Sequence, residues 1–377
     1  MKVVYKTGME FLFRTANQKF LIVAALAILA SCGNSSHRAA PLKNCGPPIR
    51  AIRVIHPTGW AAHWSHPNQL IAFNDLDPDG HYRIFLMDPS GGNQRRFSAT
   101  APNFPSKTAG SPNWHPSGKY LAFAGEKETH PGSVVDAAPG YGGYCDLWVT
   151  TADGLQAWQL TEVPNDADHG TIIPVFSPDG HKLLWTERTA APAFNLTQVV
   201  GYWVLKVADF VETPAGPHLE NIQVVQPGSV DAFNESGGFN PDSQDLLLSS
   251  NYLTRNFLTT QIYRLDLGSG AIVPITQGDY NEHPRYTPDG RIVWMTSREV
   301  TNGAADWWLA SADGTAPVRL SFFNEPGHPE SQSSAVWPGP IATENWSDDG
   351  SFLIGEFETD LIHLTYQMIR VDLTCLP

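Results

Sequence analysis

The chain has 377 residues, of which 38 are acidic and 24 are lysine or arginine, so its formal net charge is −14. This balance and the lack of a Lys/Arg cluster argue against nucleic acid as a partner, because phosphate contacts need a basic face. The 32 Gly, 30 Pro and 11% aromatic residues indicate a turn-rich β-protein that is long enough to bury a large core.

Residues 1–31 are predicted to be a signal peptide. Basic residues precede an apolar run at Phe20–Ala30, which is too short for a transmembrane span because crossing needs about 20 apolar residues. The run ends at Leu29-Ala30-Ser31-Cys32, which resembles the lipobox of bacterial lipoproteins. This resemblance implies that Cys32 is diacylated and becomes the first residue of the mature protein. Ordinary secretory cleavage with an unmodified Cys32 is the alternative.

Residues 32–48 are predicted to be a lipidated flexible tether. They are rich in Ser, Asn, Gly and Pro and show no apolar period. The residue after Cys32 is Gly33 rather than the aspartate that tends to retain lipoproteins at the inner membrane, so the outer membrane is favoured. We therefore expect residues 49–377 to be held at the membrane of the bacterial cell envelope by an N-terminal lipid, in the periplasm or at the cell surface.

A short phrase recurs six times after the tether. It begins at Trp64, Trp114, Phe176, Phe239, Tyr286 and Trp346. The most complete copies, Phe176–Gly180 and Tyr286–Gly290, read aromatic-x-Pro-Asp-Gly. Proline fixes φ, aspartate can bond its own backbone, and glycine accepts a positive φ, so each phrase is expected to form a tight turn between two strands.

Short apolar segments follow every turn phrase. In the second repeat these are Tyr120–Phe123 and Leu147–Val149, and several repeats end on a third strand such as Trp158–Thr161. Each repeat is therefore predicted to be one four-stranded sheet, or blade. Because so small a sheet cannot bury both faces alone, the sheets should stack around a central channel. The predicted fold is an all-β, six-bladed β-propeller with the phrase aromatics filling the gaps between blades.

The repeats resemble the WD40-like PD40 units of TolB-type six-bladed propellers, from Trp60 to Asp372. The third and fifth copies match the pattern Pro-x-aromatic-x-Pro-Asp-Gly in full. The other copies depart from it: the first lacks the glycine, Ser243 replaces it in the fourth, and Asp348 replaces the proline in the sixth. In propellers the first strand often completes the last blade, and Arg50–Ile55 is the candidate for that role.

Ring closure by Arg50–Ile55 places two cysteines near each other, because Cys45 precedes this strand and Cys375 follows the last one. In an oxidising compartment this predicts a Cys45–Cys375 disulfide. Free thiols, or pairing of either residue with Cys145, are the alternatives, since connectivity cannot be read from sequence alone.

In TolB-like repeats the residues just before the turn phrase lie on the innermost strand, near the channel. The fourth repeat has Asn234-Glu235-Ser236 there, and the fifth has Asn281-Glu282-His283 at the same offsets. We therefore expect a channel-binding group made of Asn234, Glu235, Asn281, Glu282 and His283, suited to a cation, a sugar or a basic peptide terminus. A solvated channel lining without a ligand is the alternative.

The histidines raise the question of a metal site. Five lie close to repeat turns, namely His63, His66, His115, His169 and His283. Oligogalacturonate lyases resemble this fold and hold manganese with channel histidines and a glutamine. However, neither a His-x-His nor a His-Glu-x-x-His spacing occurs. Most of these histidines are therefore interpreted as turn residues, and no metal or other cofactor is assigned.

The segment Asp75–Gly80 has the opening carboxylate spacing of a calcium loop, at Asp75, Asp77 and Asp79. Its twelfth position is Leu86 rather than a bidentate glutamate. A polar hairpin tip is therefore the favoured interpretation.

Two functions of different classes follow, and no catalytic residue is assigned because no Gly-x-Ser-x-Gly motif occurs. The favoured one is a lipid-anchored binding or scaffold module for a protein or an envelope ligand. The long loops Glu126–Tyr144, Thr189–Gly201 and Phe322–Pro340 favour it. The alternative is a carbohydrate-active enzyme resembling oligogalacturonate lyase, which requires metal ligands that converge in the channel.

Overall fold

The computed structural model describes residues 48–193, 195, 197–300, 304–331, 339–341, 345–360 and 365–374. The predicted signal peptide, Cys32, and the two cysteines Cys45 and Cys375 lie outside the described residues. In the described part of the chain no helix is long and apolar enough to span a membrane.

The described strands form six four-stranded antiparallel sheets, which confirms the predicted six-bladed β-propeller. The first strand, β1 (Ile49–His56), belongs to the last blade. Blade 1 contains β2 (Trp60–Ser65), β3 (Leu70–Leu76), β4 (Tyr82–Met87) and β5 (Arg95–Arg96). Blade 2 contains β6 (Ala109–Trp114), β7 (Tyr120–Glu126), β8 (Cys145–Thr151) and β9 (Ala157–Gln159). Blade 3 contains β10 (Gly170–Phe176), β11 (Lys182–Ala190), β12 (Tyr202–Val211) and β13 (His218–Val224).

Blades 4 to 6 follow the same plan. Blade 4 contains β14 (Asn234–Phe239), β15 (Asp245–Ser250), β16 (Gln261–Asp266) and β17 (Ile272–Pro274). Blade 5 contains β18 (Asn281–Tyr286), β19 (Ile292–Thr296), β20 (Asp306–Ala310) and β21 (Val318–Arg319). Blade 6 contains β22 (Gly339–Ile341), β23 (Phe352–Asp360), β24 (Thr365–Leu373) and β1. A short 3-10 helix, Phe257–Thr259, lies between β15 and β16. The first strands of blades 1 to 5 lie innermost, because they contact one another across neighbouring blades.

The ring is closed by β1, which pairs with β24 as the outermost strand of blade 6 and confirms the role predicted for Arg50–Ile55. Ile52 lies opposite Val371, and the Thr374 N–H donates to the Pro48 carbonyl at 2.8 Å. Arg53 also forms an ion pair with Asp372 across the two strands. Both ends of the described chain are therefore held in one sheet.

The six phrase aromatics are buried between blades, as predicted. Each packs on the blade that precedes it in the ring: Trp114 lies in a cluster with Ile84 and Leu86 of blade 1, and Trp64 with Ile354 and Met368 of blade 6. The same arrangement holds for Phe176, Phe239, Tyr286 and Trp346. The aromatics therefore join the six blades through six core clusters, one at each interface between neighbouring blades.

The turn phrases form the expected tight turns, including those that depart from the pattern. Where the glycine is missing, Ser243 adopts a positive φ of 62° in blade 4, and Gln69 adopts one of 52° in blade 1. Neighbouring turns also bond to one another: Asn68 Nδ2 donates to the Gly118 carbonyl at 2.8 Å. The sequence departures therefore change the residue that carries the left-handed conformation and leave the turn in place.

Closure of the ring by β1 involves Asp372, whose side chain is only 2% exposed. We therefore predict that the stability of the fold depends on this residue. Burial raises the pKa of Asp372, but the hydrogen bonds and charges of Arg53 and Arg370 outweigh it and hold this pKa below its usual value. The carboxylate therefore stabilises the fold above its unfolded pKa of about 4, and this stabilisation is lost as the pH falls through the lower folded value. We expect Asp372→Asn to lower the free energy of unfolding by about 2 kcal/mol at neutral pH and to flatten its dependence at acid pH.

Chemical denaturation of both proteins between neutral and acid pH measures this effect. The matched control is Asp209→Asn, which removes a more exposed carboxylate paired with Lys182 in blade 3 and should cost less than about 1 kcal/mol. An equal loss in the two variants would contradict the assigned role of Asp372.

Candidate functional site

The two faces of the propeller differ in their connections. The strands of each blade alternate in direction, so the turn after the innermost strand and the turn between the third and fourth strands share one face, which we call the turn face. The opposite face, called the loop face, carries the connection that enters each innermost strand and the loop between the second and third strands. Residues 127–144, 191–193, 195, 197–201 and 320–331 belong to the loop face. The described parts of the three long loops predicted from the sequence therefore share one face.

The innermost strands of blades 1 to 5 each contain a β-bulge before the turn. In four of them a non-glycine residue of the bulge has a positive φ of 51° to 52°: Ala61, Ser111, Ile173 and His283. Blade 4 places the positive φ on Gly238 instead. A bulge sets two residues opposite one and redirects their side chains. The backbone of β18 therefore determines where His283 points.

Side chains of the preceding blade hold the bulges in place. The N–H groups of Ser111, Ser236 and His283 donate to Asn74 Oδ1, Thr186 Oγ1 and Ser249 Oγ at 3.0, 3.1 and 3.2 Å. These acceptors lie on the second strands of the blades before them. The bonds therefore position the inner strands of blades 2, 4 and 5 along the channel relative to the blades before them.

Glu235, Glu282 and His283 meet in the channel, and we call them the channel triad. Glu235 comes from blade 4 and the other two come from blade 5. His283 Nδ1 lies 3.0 Å from Glu235 Oε2, and His283 Nε2 lies 3.6 Å from Glu282 Oε2. Tyr280 donates its hydroxyl hydrogen to Glu282. The arrangement places one imidazole between two buried carboxylates.

The charges of the channel triad are strongly interdependent. Burial lowers the pKa of His283, but the charges of Glu235 and Glu282 outweigh it and raise this pKa to about 9. Burial raises the pKa of Glu282, and Glu235 raises it further, although the charge of His283 opposes both effects. Burial and Glu282 also raise the pKa of Tyr280 well above its usual value, so the phenol stays protonated. At neutral pH the imidazole of His283 is therefore protonated, and its positive charge is attracted by both carboxylates.

Blade 6 adds two carboxylates that the sequence analysis missed. Glu356 is buried and accepts the Ala62 N–H at 2.6 Å, and Glu358 is hydrogen-bonded to Tyr366. Glu358 is close enough to Glu282 for its charge to raise the pKa of that residue. Glu356 and Glu358 are two residues apart on strand β23, and this spacing could have indicated two carboxylates on one face of the strand. The described channel is therefore more acidic than the sequence indicated.

The structure separates the predicted channel-binding residues into two groups. The amide of Asn234 donates to the Trp203 carbonyl at 2.9 Å and accepts from Ser250 Oγ at 2.7 Å. The amide of Asn281 donates to the Gly278 carbonyl at 2.7 Å and accepts from Trp294 Nε1 at 3.0 Å. Both asparagines therefore anchor the start of an inner strand, and only the channel triad remains arranged around a common point.

Four of the five histidines singled out in the sequence are bonded at separate places. His63 Nδ1 accepts the Trp114 N–H, and His115 contacts the Gly180 carbonyl, both between blades. His66 and His169 pair with Asp348 and Asp166. Of the five histidines, only His283 belongs to the channel triad. The histidine-rich ligand set implied by the lyase resemblance therefore does not fit.

The aspartates of the calcium-like segment also have protein partners. Asp77 pairs with Arg96 at 2.9 Å, Asp79 pairs with Arg83 at 2.8 Å, and Asp75 accepts from Thr58 Oγ1 at 2.5 Å. Asp75 lies on β3, and Asp77 and Asp79 lie in the short loop between β3 and β4. This geometry favours the polar hairpin tip over a calcium site.

A cavity of about 340 Å³ lies at the turn-face end of the channel. Its walls include the aromatics Trp64, Trp114, Phe239 and Tyr286. Gly238 occupies the position directly before the phrase aromatic, where the other blades place larger residues, namely His63, Asn113, Val175, Arg285 and Asn345. The absence of a side chain at Gly238 therefore leaves room in this layer of the channel.

No protein-family model matches the chain, and no curated protein matches it either. Solved structures resemble it at low identity. TolB from Acinetobacter baumannii is 15% identical with a TM-score of 0.51, over 82% of this chain and 64% of that chain. A putative TolB from Agrobacterium tumefaciens is 15% identical with a TM-score of 0.52, over 85% and 93%.

A gluconolactonase from Xanthomonas campestris is 12% identical with a TM-score of 0.50, over 90% of this chain and 99% of that chain. The chain spans 64% of the length of the Acinetobacter TolB structure. At these identities the likeness establishes the fold, which is that of a TolB-like six-bladed propeller.

The bulge contacts predict a measurable role for Thr186, which is fully buried. Valine has nearly the same shape but cannot accept the Ser236 N–H, so Thr186→Val should lower the free energy of unfolding by about 1–3 kcal/mol. Thr150→Val is the matched control, because Thr150 is equally buried and its hydroxyl bonds only within blade 2. Urea denaturation of both variants provides the comparison, and a cost no greater at Thr186 than at Thr150 would argue against bulge anchoring.

Proposed function

We propose that this protein is a binding module of the bacterial cell envelope that docks a protein or another envelope ligand on its loop face. The observation that carries the proposal is the gathering of three long loops around one end of the acidic channel. The turn face, in contrast, is built from short turns. Binding residues are commonly carried on loops that a rigid scaffold positions, and the closed ring provides such a scaffold.

Exposed apolar side chains support the choice of face. Four large apolar residues that are exposed in loops belong to the loop face, namely Val135, Val199, Val230 and Leu253. Leu253 is the most exposed of them, at 70%. In the described loops of the turn face the corresponding residue is Leu155. Their shared face, with Leu253 the most exposed, supports the loop face as the side that a partner contacts.

We further propose that Cys32 carries the lipid and that residues 32–48 tether the propeller. β24 runs from the loop face to the turn face and β1 runs antiparallel to it, so the chain enters β1 from the turn face. The tether therefore leaves from the edge of the turn face. This direction lets the loop face point away from the membrane, which supports the docking proposal.

The Cys45–Cys375 disulfide stays a prediction. The Pro48–Thr374 hydrogen bond supports it, because it brings together the segments that flank the two cysteines. Within the described residues the one cysteine is Cys145; it is buried, and burial raises the pKa of its thiol.

Substitution of one exposed leucine on each face tests the docking proposal. We expect affinity capture from envelope extracts in mild detergent to recover a saturable partner with the wild type and with Leu155→Arg. Leu253→Arg should lose most of this partner, because it places a charge on the loop face. Failure to recover any saturable partner, or an equal loss with Leu155→Arg, would count against docking on the loop face.

Replacement of Cys32 tests the anchor separately. Cys32→Ser should move the protein from the membrane fraction to the soluble envelope fraction and abolish incorporation of labelled fatty acid. Cys145→Ala is the control, since that residue is buried in the propeller and should leave both readouts unchanged. Persistent acylation of Cys32→Ser would exclude Cys32 as the attachment site.

A further inference from the structure

The channel triad brings together the donor atoms of a metal site. One ligand atom each from Glu235, Glu282 and His283 lie within 4.8 Å of one another. Two carboxylate oxygens and one imidazole nitrogen suit first-row divalent ions such as Mn²⁺ and Zn²⁺. Three protein ligands also leave coordination positions that can face the channel.

A second observation points to a missing ligand at the same place. Glu235 is 5% exposed, and its Oε2 atom receives no hydrogen bond from the described residues. This atom lies 3.0 Å from His283 Nδ1, with which it forms an ion pair. A buried carboxylate oxygen without a donor is costly. A cation in the triad would satisfy it.

The surrounding charges favour a cation. Glu356 and Glu358 add two carboxylates from blade 6. Arg285 follows the triad on β18, and its guanidinium donates to the backbone carbonyls of Ser236 and Pro284. Carboxylates therefore outnumber basic groups in this part of the described channel, and the field concentrates positive ions there.

We propose that Glu235, Glu282 and His283 bind one divalent ion of the Mn²⁺ or Zn²⁺ type. Ligation needs the neutral imidazole, so the ion takes the place of the proton on His283. Because Glu235 belongs to blade 4 and the other ligands to blade 5, the bound ion links two adjacent blades. This site is independent of docking on the loop face, and either proposal can fail without the other.

Metal binding by the purified, chelator-treated full-length protein tests the site. We expect one equivalent of Zn²⁺ and one of Mn²⁺ to bind in calorimetric titrations and to raise the melting temperature. Glu235→Gln and Glu282→Gln should each weaken binding by roughly 100-fold or more. Mutation of a residue that only hydrogen-bonds a metal ligand already lowers metal affinity by about 10–100-fold, and these variants change the ligands themselves. Electron spin-echo spectroscopy of bound Mn²⁺ should show coupling to an imidazole nitrogen, which His283→Gln removes.

The matched control is Glu356→Gln, which removes a carboxylate charge from the same channel and keeps an oxygen to accept the Ala62 N–H. It should weaken binding only a few-fold, through the electrostatic field. No binding by the wild type, no nitrogen coupling, or an equal loss in Glu356→Gln and Glu235→Gln would overturn the proposal. The spectroscopic measurement on the wild type remains decisive if a variant fails to fold.

Discussion

The structure depends on the burial of each small sheet against the next one. A four-stranded blade leaves apolar side chains on both faces, so no blade can be stable without a neighbour on each side. The aromatic before each turn meets this need, because it fills the space between its own blade and the preceding one. A chain of such contacts must close to leave no exposed end, and the pairing of β1 with β24 closes it.

The same contacts between blades position the channel. The bulges of blades 2, 4 and 5 bond through an N–H to a side chain of the preceding blade, as Ser236 does with Thr186 and His283 with Ser249. These bonds fix the height of the three inner strands relative to the blades before them. Glu235 and Glu282 hold equivalent positions in neighbouring strands, so the packing of the blades brings both close to His283. The chemistry of the channel triad follows from the geometry of the ring.

Features that repeat along the chain could be predicted from the sequence, and features set by contacts between blades could not. The turn phrases encode their own conformation, which gave the number of blades, and their common offset indicated Glu235, Glu282 and His283. The bulges have no sequence signal, since Ile173 is a β-branched residue that rarely adopts a positive φ. Glu356 was missed because it lies on the second strand of blade 6. Its contact with the innermost strand of blade 1, where it accepts the Ala62 N–H, joins residues that are distant in sequence. The roles of Asn234 and Asn281 as strand anchors likewise depend on partners distant in sequence.

The position of β1 in blade 6 has a consequence for how the molecule is made. Its hydrogen-bonding partner, β24, lies more than 300 residues later in the chain, so the strand that is synthesised first is among the last to find its place. Contacts between such distant segments form slowly because a long loop must close first. During synthesis, β1 and the open side of blade 1 stay without their native neighbours until the C-terminal strand has been made. In that interval the nascent chain exposes strand edges that invite aggregation, and chaperones that shield them would protect its folding.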